Sequence, residues 1–193
     1  NISGNASYSG IISILRGAAN NCKFNNINIS CNGDYIGIIS RNIAGSFNSM
    51  TLNNITIKGR HYVGGLCGEA KSLGTSSDIT GTYLYVTATG NNIGGIFGQT
   101  DGNVKNIYAY QYSQNGKQSS DKETSYLVKG NSNVGGSIGR YCAGGSGATA
   151  YDLKTTNSKI QGNGTTGGNI CDGSGNGNTL TSSNNINTST VNS

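Results

Sequence analysis

Tyr62-Val63-Gly64-Gly65-Leu66-Cys67-Gly68 and Asn92-Ile93-Gly94-Gly95-Ile96-Phe97-Gly98 are two copies of one pattern, and they decide how the rest of the chain is read. Upstream, the pattern recurs as Tyr8-Ser9-Gly10-Ile11-Ile12-Ser13 and Tyr35-Ile36-Gly37-Ile38-Ile39-Ser40. Downstream it returns as Asn133-Val134-Gly135-Gly136-Ser137-Ile138-Gly139 and, in worn form, as Thr166-Gly167-Gly168-Asn169-Ile170-Cys171. The anchor glycines are therefore Gly10, Gly37, Gly64, Gly94, Gly135 and Gly167, spaced by 27, 27, 30, 41 and 32 residues. Self-similarity at such a period marks a repeat architecture.

A second element follows each anchor. It reads Asn26-Ile27-Asn28-Ile29-Ser30, Asn54-Ile55-Thr56-Ile57-Lys58 and Tyr83-Leu84-Tyr85-Val86-Thr87, then Asn106-Ile107-Tyr108-Ala109-Tyr110 and Ala150-Tyr151-Asp152-Leu153-Lys154. The alternation has period two, so Ile27, Ile55, Leu84 and Ile107 point inward and Asn28, Thr56, Tyr85 and Tyr108 point out. Helical repeats are excluded, and blades of a propeller need about 40 to 45 residues each. The pattern predicts an all-β fold, a β-solenoid (β-helix) of about six coils with 27 to 32 residues per coil. Gly or Asn is expected at the corners, where φ > 0 is needed. At about 4.8 Å of rise per coil, six coils make a rod about 30 Å long. Inward aliphatic residues stack on their equivalents, and corner asparagines form amide ladders.

Residues 1–172 form the predicted repeat domain. The polar stretch 111–125 (QYSQNGKQSSDKETS) lengthens one interval and should bulge out as a loop. Residues 173–193 are expected to be an irregular final coil or a tail exchanged with a neighbour.

The Val/Ile-Gly-Gly-x-x-Gly core at Val63–Gly68, Ile93–Gly98 and Val134–Gly139, with its Asn-Ile-x-Ile strand, resembles the GLUG-type repeats of bacterial surface proteins and adhesins. The first two copies depart from it, holding Ile38 where Gly65 stands, and the last ends in Cys171. The resemblance implies an extracellular, surface-attached or adhesive protein with no catalytic residues to carry over.

Composition agrees with an ordered β chain. Charged residues are 11% of the total, against roughly 25% in ordinary domains, yet Ile, Val, Thr and Tyr recur throughout and Pro is absent. A disordered chain shows the opposite bias. The net charge of +5 comes from scattered cations, with no run suited to nucleic acid. No apolar stretch approaches the roughly 20 residues that span a bilayer.

The five cysteines have no metal-site spacing. Cys22 and Cys31 flank one strand and are placed to close a local loop, while Cys142 and Cys171 occupy near-equivalent places and are placed to staple two coils. No cofactor is expected. Catalysis would have to use His61, the only histidine, at a predicted corner, and its removal should leave function intact. The eight acidic residues are dispersed, which argues against the clustered carboxylates of a polysaccharide lyase or hydrolase.

Two outward features remain. Tyr8, Tyr35 and Tyr62 each stand two residues before an anchor, hence one above another on an outer face. They read either as a platform for sugars or a neighbouring chain, or as a ladder stabilising its own sheet. Asn42, Glu69, Gln99, Arg140 and Asp172 lie five residues past their anchors as an exposed polar row. With no helical pattern at either end to cover the strand edges, the leading expectation is a structural subunit that stacks head-to-tail into an extracellular filament, with residues near Ile2–Ile14 and Leu180–Val191 in the joint. A stalk segment of a surface adhesin, binding glycans or a host surface, is the alternative. A polysaccharide-processing enzyme ranks last.

Overall fold

A computed structural model describes residues 1–71, 74–111, 113–114, 117–118, 128–142, 150–156, 159–167, 170–172, 186–187 and 190–192. All regular structure among them is strand, arranged as a β-solenoid whose coils wind through three parallel sheets. The anchor sheet holds Val63–Gly64, Asn91–Gly94, Ser132–Gly135 and Thr166–Gly167, with bridges from Ser9 to Ile36 and from Ile36 to Val63 extending it to the first coils. The next sheet stacks Ile12–Arg16, Ile39–Ala44, Cys67–Ala70, Phe97–Thr100, Ile138–Tyr141 and Ile170–Asp172, one strand per coil. The third is built on the long strands Lys23–Cys31, Phe47–Gly59 and Thr75–Ala88.

Those long strands turn corners without ending. In Phe47–Gly59 the residues pointing inward are Phe47, Met50, Leu52, Ile55 and Ile57, all at most 1% exposed. Their spacing is three, two, three, two. Each three-residue step contains a residue with left-handed backbone, Ser49 (φ 54°) and then Asn54 (φ 56°). Thr75–Ala88 repeats this with Asp78 and Tyr83. A single left-handed residue bends the strand and resets the alternation, so both arms face the same core.

The anchor glycines are not the left-handed residues. Among the described residues the glycines at positive φ are Gly4, Gly17, Gly45 and Gly102, whereas the column before each anchor is left-handed at Tyr8, Tyr35, Tyr62, Asn92 and Asn133. Of the residues expected at the corners, asparagine holds many, at Asn21, Asn26, Asn54, Asn92, Asn106 and Asn133, and tyrosine takes others that glycine or asparagine was expected to fill. An anchor is glycine because its turn packs backbone against backbone. A Cβ on Gly64 would press on the Cys67 carbonyl oxygen and stand 2.6 Å from Gly98 N and 2.7 Å from the Ile96 carbonyl oxygen.

Register refines the stacking. Ile27 lies on Ile55 and Ile55 on Leu84 as expected. Ile107, however, lies on Ile79 rather than Leu84. Met50, Ile79, Ile107 and Leu153 form that second column. The cause is where the extra residues sit: they divide the fourth long strand into Asn103–Gln111 and Val128–Lys129, and pairing resumes with Val128 opposite Val86. Within the inserted stretch, Ser113–Gln114 pairs antiparallel with Lys117–Gln118, outside the coil stack. Toward the end of the chain, Ile186–Asn187 and Thr190–Asn192 add in parallel to Lys154–Thr155 and Lys159–Gln161 of the same chain. Amide ladders run along the corners. Asn54 donates Nδ2–H to Asn26 Oδ1 at 2.6 Å, Asn131 to Asn91 Oδ1 at 3.1 Å and Asn133 to Asn92 Oδ1 at 2.7 Å.

Candidate functional site

The left-handed column before the anchors carries the tyrosines outward. Tyr8 and Tyr35 stack with ring centroids 4.8 Å apart and planes 4° from parallel, and Tyr35 and Tyr62 with 4.6 Å and 5°. The coil rise sets this spacing. Both faces of Tyr35 are covered by its neighbours, so the three rings form a ladder rather than a platform, and only the two ends of the stack offer a flat face. Left-handed backbone is unusual for a bulky side chain, costing about 1–2 kcal/mol, and ring stacking offsets it by a similar amount.

Beside the ladder runs the polar row, in a different register from the expected one. Glu69 pairs with Arg41, not Asn42, and the row reads Ile14, Arg41, Glu69, Gln99, Arg140, Asp172. The first two coils lack the second glycine of the anchor turn, so Ile39 lies opposite Cys67 and everything after it shifts by one residue. Nor is the whole row exposed. Glu69 is 2% accessible and is held by Arg41 Nε at 2.7 Å and Lys71 Nζ at 3.1 Å. The Arg41 guanidinium lies 5.9 Å from the Tyr35 ring centre. Burial, and then the nearby Glu69 carboxylate, raise the Tyr35 hydroxyl above its usual pKa.

His61 is tied into the scaffold. Its Nδ1 accepts the backbone N–H of Asn91 at 2.9 Å, linking consecutive coils. Two carboxylates, Asp34 and Asp78, are likewise occupied. Asp34 accepts two hydrogen bonds at 2.8 Å from Arg60, which hold its carboxyl below the usual range. Asp78 accepts from Asn106 and Ser77, which lower it in the same way. Among the described residues no group of His, Cys, Asp and Glu is placed to hold a metal ion, and no helix is long and apolar enough to cross a membrane.

The disulfide expectations are corrected. None of the five cysteines is bridged. Cys22 immediately precedes the strand that Cys31 ends, too far along one chain for a bond. Cys171 falls opposite Gly139, the residue between the paired Ile138 and Arg140. Cys142 is thus displaced three residues, about 10 Å at strand rise, beyond the Cα separation a disulfide spans. Cys67 is fully buried, and burial pushes its thiol far above the ordinary value.

Two places on the surface stand out. One is the first coil, where Tyr8, Ile11, Ile12 and Ile14 are 38%, 50%, 36% and 47% exposed, although Ile38 and Ile39 of the next coil are at most 1% exposed. The other is a cleft of about 400 Å³ at the far end of the ladder, lined by His61, Tyr62, Asn91, Asn92, Asn133 and Arg140. Neither could be located from the anchor spacing alone; the cleft depends on tyrosine giving way to asparagine at position 92.

Compared with known protein families, with curated proteins and with solved structures, the chain shows no match in any of the three.

Proposed function

We propose that this chain is a structural subunit of an extracellular filament or surface appendage, assembled by seating one solenoid end on another. The observation that supports this reading is the apolar, in-register edge of the first described coil, which can accept a further coil either from a second copy or from the same polypeptide. Ile12 is in register with Ile39, and Ile14 with Arg41, so a further coil would cover them as each coil covers its neighbour. Taking Tyr8, Ile11, Ile12 and Ile14 from about half exposed to buried contributes roughly 1 kcal/mol each. That sum of about 4 kcal/mol only matches the smallest cost of association, so the joint also needs the strand-edge hydrogen bonds that link coils inside the molecule. A head-to-tail contact of this kind is heterologous and does not close, which generates an open fibre. The extracellular setting rests on the resemblance of the anchor pattern to GLUG-type repeats.

The same exposed edge suits a second reading, a stalk segment of a surface adhesin, in which the covering coil belongs to the same polypeptide. Sedimentation velocity of the full chain and of Ile12→Lys/Ile14→Lys separates the two. Concentration-dependent growth that the double variant loses supports the filament. A chain that remains monomeric throughout, or a double variant that assembles equally well, removes that reading and leaves the stalk.

A further inference from the structure

The tyrosine stack stops two coils before its backbone column does. Positions 8, 35, 62, 92 and 133 share one left-handed column, with φ of 59°, 56°, 54°, 65° and 51°. Rings occupy the first three and asparagines the last two. Left-handed backbone suits asparagine and strains tyrosine, so the rings are placed where a smaller side chain would sit more easily. Tyr62 has one face against Tyr35. Its other face looks along the axis to the level of Asn92, where no fourth ring stands.

Asn92 does not fill that level. Its Oδ1 accepts from Asn133 at 2.7 Å and its Nδ2–H reaches Gln99 Oε1 at 3.4 Å. The cleft of about 400 Å³ results, with the Tyr62 ring at one end and His61, Asn91, Asn92, Asn133 and Arg140 around it. The floor is an electron-rich ring face. At the rim Asn92 is 5% exposed with both amide ends engaged, while Asn91 and Asn133 each have one amide end in a ladder bond and the other to offer a ligand. With Nδ1 of His61 accepting from the Asn91 backbone, a neutral imidazole carries its proton on Nε2 as a further donor.

We propose that this cleft is a saccharide-binding subsite in which one pyranose ring takes the place of the missing fourth rung. A pyranose has what the cleft asks for: a patch of C–H groups on one face to lie on Tyr62, and hydroxyls around the edge to meet amides and guanidinium. A simple ion would leave the ring face unused, and an apolar aromatic ligand would leave the amides without partners. The volume lies within the range of small-molecule sites and suits one or two sugar rings. The cleft belongs to the third to fifth coils, away from the exposed first coil, so it stands whether or not the chain forms filaments.

The test titrates the full chain separately with maltotriose, triacetylchitotriose and trigalacturonic acid, following asparagine side-chain NH₂ signals by NMR. At least one should shift the Asn91, Asn92 and Asn133 signals saturably, with Kd on the order of 0.1–10 mM. Asn92→Tyr should fill the gap with a fourth ring, and Tyr62→Leu should remove the flat face. Each should weaken binding by about tenfold or more, with the variant's own amide signals as readout. Tyr8→Leu, at the other end of the stack, should leave binding unchanged. Binding by trigalacturonic acid alone supports the site and assigns its carboxylate to Arg140. Asn92→Tyr is expected to fold, since tyrosine occupies the same backbone conformation three times in this column; should it unfold, Tyr62→Leu decides. The proposal is overturned if none of the three sugars gives a saturable shift up to about 20 mM, or if binding survives in Tyr62→Leu.

Discussion

Replacing Gly94 tests why the anchors are glycine. Its φ lies outside the left-handed region, so no torsional strain attends an L side chain there. A Cβ would nonetheless press on the Phe97 carbonyl oxygen and stand 2.7 Å from Gly139 N and 2.8 Å from the Ser137 carbonyl oxygen. All three are backbone atoms, and two belong to the next coil, so relief requires two coils to separate. Overpacking of a close-packed site costs about 1–3 kcal/mol, and a contact with no flexible side chain to yield should reach the upper figure. For a chain of this length, about 3 kcal/mol lowers the melting temperature by roughly 6–12 °C. Gly94→Asn distinguishes the two explanations by calorimetry. If the anchor needed left-handed backbone, asparagine would be the mildest substitute; if it needs space, asparagine is worse than alanine. Gly74→Ala is the control, since its Cβ would meet nothing within 4 Å, and it should be neutral or stabilise by about 0.5 kcal/mol. A Gly94→Asn protein melting within about 2 °C of the unmodified chain would refute the steric reasoning.

In the tyrosine ladder, Tyr35→Asn loses two stacking contacts and Tyr8→Asn one, while both relieve the same left-handed strain, so thermal unfolding should show Tyr35→Asn to be the more destabilising by about 1 kcal/mol. Equal losses would mean that stacking is not what the inner ring contributes. His61→Ala removes the acceptor of the Asn91 N–H and should cost about 1 kcal/mol of stability, visible as earlier amide exchange at Asn91. Because Arg60 lowers the Asp34 carboxyl in the folded chain, this pair stabilises at pH above the ordinary value of 3.8. That contribution is lost as the pH falls through and below it. Asp34→Asn should therefore flatten the acid side of a plot of melting temperature against pH.

The repeat was legible because its anchors are steric and its strands alternate. Of the inward set Ile27, Ile55, Leu84 and Ile107, the last three are fully buried and Ile27 partly so, and these and the stacked tyrosines could be placed from spacing alone. The left-handed corners were harder, because four of them are tyrosines, at positions 8, 35, 62 and 83. A usable signal did exist: nearly every left-handed residue is followed by an inward aliphatic one, as in Asn54-Ile55, Asp78-Ile79, Tyr83-Leu84 and Asn133-Val134. The register errors share one physical cause. In a stacked coil a single missing residue, such as the second glycine absent beside Ile38, moves every later side chain of that strand by one place. Thus Arg41 rather than Asn42 meets Glu69, and Ile107, which precedes the insertion, keeps the level of Ile79, while Gln111 rather than a second aliphatic residue reaches the level of Leu84. Spacing counted from an anchor cannot detect where within a coil the residue was lost or gained.

Growth along the solenoid axis is tested by electron microscopy of the purified full chain. Head-to-tail stacking predicts unbranched fibres of uniform width, with an axial repeat of about 4.8 Å between strands and continuous density across each joint at Ile12–Arg16. Discrete particles of single-chain size at every concentration, with the first coil still uncovered, would contradict it.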